Sequence, residues 1–78
     1  MDGITGSGSP DGYRLLLASD VSLRDGLGLE LYDSADEFLA EVFRDDTTGK
    51  TTVRIMPGFS LDLDVAGWFL AKARDRLL

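Results

Sequence analysis

The 78-residue chain contains no cysteine and no histidine, and these two absences remove more chemistry than any other feature of it. Without thiols there is no disulfide, and without thiolate or imidazole the usual zinc sites lack their ligands. Acid–base or nucleophilic catalysis would fall to carboxylates, hydroxyls, lysine or arginine. Cations are scarce too, with 8 Lys and Arg against 14 Asp and Glu and a formal net charge of -6. Nonspecific nucleic-acid binding rests on cations displacing counterions along the phosphate backbone, so this balance opposes it and favours a partner with a basic surface. No segment reaches the roughly 18 apolar residues that span a bilayer, and the N-terminus lacks the basic start and apolar run of a signal peptide. The expectation is a soluble, cytoplasmic protein with no membrane association.

A chain this short must still find stability. A folded unit of about 60 residues buries only about 60% of the surface its unfolded chain exposes. With disulfides and zinc removed, oligomerisation is the common remaining means of stabilisation.

Residues 1–12 carry Gly3, Gly6, Gly8, Gly12, Ser7, Ser9 and Pro10, which reads as a flexible N-terminal tail. Residues 13–78 form the expected single domain. The run Leu15, Leu16, Leu17 is too short for periodicity to separate a strand from a helical turn, and strand is the preferred reading. Asp25–Gly26 suits a tight type I′ turn, joining a strand that ends near Arg24 to one over Leu27 to Tyr32. Along the latter, Leu27, Leu29 and Leu31 share one face and Gly28, Glu30 and Tyr32 the other. Asp33 to Asp36 make a turn, and Phe38 to Arg44 is the next strand. Asp45 to Gly49 is a hairpin loop, with Gly49 placed for a left-handed backbone. Thr51 to Met56 is rich in β-branched residues and is stopped by Pro57–Gly58.

Ser60 or Asp62 can cap the helix expected over Leu63 to Leu77, and Asp64 adds negative charge at its positive end. Lys72, Arg74 and Arg76 complement the other end. At about 100° per residue, Leu63, Ala66, Phe69, Leu70, Ala73 and Leu77 fall in one stripe, and Trp68 projects away from it. The fold class is therefore α+β, a small antiparallel sheet of three to four strands packed on one C-terminal helix.

Signals for chemistry are weak. Asp45-Asp46-Thr47-Thr48-Gly49-Lys50 lacks the first glycine of a phosphate-binding loop and leads into a strand. Asp33, Asp36 and Glu37 do not match the calcium loop of an EF-hand, and turn formation explains them. No serine stands in a glycine-flanked nucleophile elbow. No enzymatic activity, metal or cofactor is expected.

Surplus apolar residues are the informative feature. A sheet with one helix has a second face that would mix Glu30, Glu41, Thr52 and Arg54 with Tyr32, Leu39, Phe43, Leu16 and Met56. Contiguous apolar surface on a small protein marks a contact site. On the helix flank, Gly67 and Ala71 would let another backbone approach beside Trp68, an anchor of the type enriched in hot spots. Trp68, Tyr32, Phe43, Met56, Gly67 and Ala71 are the candidate interface residues. The reading is a small acidic protein-interaction module, an adaptor, regulator or immunity-like inhibitor that forms a homodimer or meets a basic protein.

The order of elements, strands first and a helix last, resembles the dimeric single-strand DNA-binding domain of the transcriptional coactivator family. That family docks nucleic acid on a basic sheet surface with stacking aromatics, and this chain departs from it in charge. The resemblance implies an alternative function, single-stranded nucleic-acid binding through Tyr32, Phe43 and Arg54 on the open sheet face.

Overall fold

Alternating and β-branched segments pair in chain order, and the amphipathic end of the chain folds back over them. The computed structural model describes residues 10–20 and 25–78, Asp20 through its backbone alone. It contains β1 (Arg14–Asp20), β2 (Gly26–Tyr32), β3 (Phe38–Asp45), β4 (Thr51–Ile55) and α1 (Leu63–Leu77). The four strands form one antiparallel sheet in the order β1-β2-β3-β4. The expected α+β architecture is thus the observed one. No helix among the described residues is long and apolar enough to cross a membrane. Of the expected tail, residues 1–9 lie outside the described residues.

The β3–β4 loop forms as its residues dictate. The Asp45 carboxylate accepts from the Thr47 and Thr48 N–H groups at 2.8 and 3.3 Å, and Gly49 takes φ 75°. Asp33 does the same between β2 and β3, its carboxylate accepting from the Ala35 and Glu37 N–H groups at 2.9 and 3.0 Å. The β1–β2 connection differs from expectation. β1 ends at Asp20, which pairs with Gly26, so Gly26 is a strand residue without positive φ and the loop is longer than a two-residue turn. Residues 21–24, including the expected strand end at Arg24, lie outside the described residues.

Asp62 caps α1, its carboxylate accepting from the Asp64 N–H at 3.0 Å. The buried helical face is Val65, Phe69, Ala73 and Leu77. This corrects the expected stripe: Leu63 is 84% exposed and Leu70 is exposed, whereas Trp68 is half-buried and packs against the core. The stripe is turned towards Trp68 because Val65, absent from the expected set, anchors its first turn. Leu39 is a second correction. Pairing steps from Leu31↔Ala40 to Tyr32↔Phe38, a bulge that leaves Leu39 unmatched on β2. The bulge breaks the simple alternation, and Leu39 joins the cluster formed by Leu29, Leu31, Ala40, Val42 and the buried face of α1.

Helix and sheet widths then decide what stays uncovered. Strands about 4.8 Å apart place β1 and β4 about 14 Å from each other, while a helix with side chains is about 10–12 Å across. α1 packs on β2 and β3. Its C-terminal end is held there by Arg44, whose Nη1 donates to the Leu77 carbonyl at 2.5 Å. The outer strands are left at the margins of the helix.

Candidate functional site

The sheet face away from α1 carries three of the predicted interface residues, and two of them are engaged within the chain. Phe43 is buried. Its ring lies across β2, where a Cβ on Gly26 would run into it and into the Arg44 carbonyl, and a Cβ on Gly28 would sit 3.5 Å from Phe43 Cδ1 and 3.0 Å from Glu41 Oε2. Glu41, 4% exposed, has Arg54 Nη2 at 3.2 Å from its Oε1. Tyr32 is half-buried and stacks on Phe38 with centroids 5.4 Å apart. Its hydroxyl donates to Glu30 Oε1 at 2.7 Å, and the Arg14 guanidinium lies 4.6 Å from its ring centre. Arg14 in turn meets the Asp36 carboxylate at 2.7 Å. The hydrogen bond to Glu30, then burial and the charge of Glu30, push the Tyr32 phenol above its ordinary pKa, against the pull of Arg14. Met56 is half-buried at the end of β4, its N–H donating to the Leu39 carbonyl at 2.9 Å.

The helix-flank residues are not brought together as an aromatic surface. Gly67 and Ala71 are exposed, and a Cβ on Gly67 would meet nothing. Trp68 packs towards the core, and its Nε1–H is buried with no partner among the described residues. Residues two apart on a helix lie about 200° apart around its axis. With Leu70 leaning over β4, Trp68 therefore falls on the opposite margin of the helix, towards β1.

Open apolar surface lies at Leu16 and Leu17 of β1 and at the β4 margin, the latter missed by sequence reasoning. A groove of about 360 Å³ runs between α1 and β4, lined by Val42, Thr51, Val53, Leu70, Arg74 and Leu78. Val53 is 55% exposed, Ile55 46%, Leu70 39% and Leu78 76%. The signal available was positional: a fourth strand in a meander stands at the sheet edge, beyond the reach of one helix. Among the described residues no three carboxylates are grouped to hold a metal ion. In comparison with known proteins, the chain matches no protein-family model, no curated protein and no solved structure.

Proposed function

We propose that the chain is a small acidic protein-interaction module, an adaptor, regulator or immunity-like inhibitor, that acts by surface contact and self-association. The observation that carries this reading is the groove between β4 and α1, where Val53, Leu70 and Leu78 keep 39% to 76% of their surface in water. A chain of this size gains stability by covering such area. The formal net charge of -6 adds long-range attraction for a partner with a basic surface. The nucleic-acid alternative has less support, since Phe43 is buried and Tyr32 is already stacked on Phe38.

The test compares the full chain with Leu70→Asp, which changes an exposed side chain and should leave the melting temperature almost unchanged. The reading expects bound protein, a second copy included, to be held by the native chain and lost by the variant. Equal capture by both overturns it. So does tight binding of single-stranded oligonucleotide that weakens steeply with salt, the signature of phosphate contacts.

A further inference from the structure

We infer that the outer edge of β4 is completed by β4 of a second copy, antiparallel and about a two-fold axis through Val53. This rests on the interaction-module reading and names the partner. The argument begins with which backbone groups face outward. The Asp45 N–H donates to the Lys50 carbonyl and the Met56 N–H to the Leu39 carbonyl, so Lys50, Thr52, Arg54 and Met56 turn their polar groups to β3. Thr51, Val53 and Ile55 turn theirs outward, along an edge that no strand among the described residues covers. Lying next to a groove, this is an edge of the kind that adds another strand.

The strand is self-complementary when reversed. With the axis at Val53, Val53 faces Val53, Thr51 faces Ile55, and Thr52 faces Arg54 of the second copy. Each outward residue then meets another outward residue, so every N–H and C=O of Thr51, Val53 and Ile55 finds its counterpart. The one charge in the strand, Arg54, meets a neutral hydroxyl rather than its own copy, and like charges directly opposite are what such a pair must avoid. On the helix side the Val53 and Ile55 rows of both copies merge, and Leu70 and Leu78 flank them. β1 is also an edge strand, but its C-terminal end runs into residues 21–24, outside the described set, whereas everything next to β4 in the chain is described. A stable interface covers about 800 Å² per partner, so a five-residue strand and one helix rim make a weak dimer. Each copy carries a net charge of -6, so added salt tightens the pairing, opposite to its effect on nucleic-acid binding.

Sedimentation equilibrium of the full chain from micromolar to millimolar concentration tests this. Val53→Lys places two ammonium groups on the axis and removes both valines from the contact, so it should weaken the dimer at least about 30-fold. Thr52→Glu faces Arg54 of the second copy and should tighten it about 3-fold. The gain keeps the test independent of any variant that folds poorly. A dimer indifferent to both substitutions overturns the register. A chain monomeric at millimolar concentration overturns the pairing, whether an extended segment of another protein or residues 1–9 of the same chain takes the edge. In that case the interaction-module reading stands if Leu70→Asp still loses captured protein, and falls with the pairing if it does not.

Discussion

On the face away from α1, β2 contributes two glycines, and Phe43 and Glu41 of β3 lie down across them. On the face under α1, Leu29 and Leu31 stand up into the helix, while Val53 and Ile55 at the margin are left in water. The face without a helix is thus closed at its centre by side chains of β3 folding over two glycines of β2. The covered face is open at its β4 edge because one helix is narrower than four strands. Absence of a covering element and presence of exposed apolar surface are different things: the uncovered face is closed at its centre and shows Leu16 at its β1 edge, while the covered face shows Val53 and Ile55 at its β4 edge.

The comparison breaks most easily at Gly26. A Cβ there meets a backbone carbonyl and the ring of the buried Phe43, so backbone or ring must shift. Gly26→Ala should cost about 3 kcal/mol in chemical denaturation. At Gly28 the nearest atom is the end of the flexible Glu41 side chain at 3.0 Å, so Gly28→Ala should cost about 1 kcal/mol or less. The reverse order would mean that Phe43 does not lie across Gly26.

Trp68 sharpens the contrast between the two margins of α1. It packs on the core with an indole N–H that has no partner among the described residues, whereas Leu70 on the other margin is exposed. Trp68→Ala should lose about 2 kcal/mol, and Trp68→Phe, which removes that donor, should lie within about 1 kcal/mol of the native chain. Equal losses for the two would show that the indole N–H has a partner in solution.

A smaller effect is expected at Tyr32. Its phenol is held above the ordinary value of 10.0, so the stabilisation from the Glu30 bond is present below that pH and lost as pH rises through the raised folded value. Ultraviolet titration should show one of the two tyrosines titrating late, and Glu30→Gln should bring it down. No change on that substitution would remove the carboxylate as the cause.

Much of the fold was legible in the residues because its signals are local. Asp62 capping α1, Gly49 in the left-handed region and the β-branched run of β4 each depend on neighbours within a few positions. What was not legible depends on pairing between segments. Asp25–Gly26 looks like a tight turn, yet Gly26 is needed in β2 to let Phe43 approach, a demand made by a strand that comes later in the chain. The same distant demand hid Phe43 as a buried residue and made Tyr32 and Phe43 look like open surface. The helix stripe was misjudged because residue identity does not separate Leu63 and Leu70 from Val65, all three being aliphatic. What turned the helix was the placement of β2 and β3 beneath it. The groove at β4 needed the sheet order, which no periodicity carries.

The central claim is that the molecule meets its partner along β4, and amide hydrogen exchange read residue by residue over a range of concentrations tests it most directly. Thr52 and Arg54 donate inward to β3, so their amides should be protected at every concentration. Thr51, Val53 and Ile55 face outward and should exchange quickly when dilute, then gain protection together as concentration rises from micromolar to millimolar. Fast exchange of those three amides at all concentrations, with protection growing elsewhere on the surface, would contradict it.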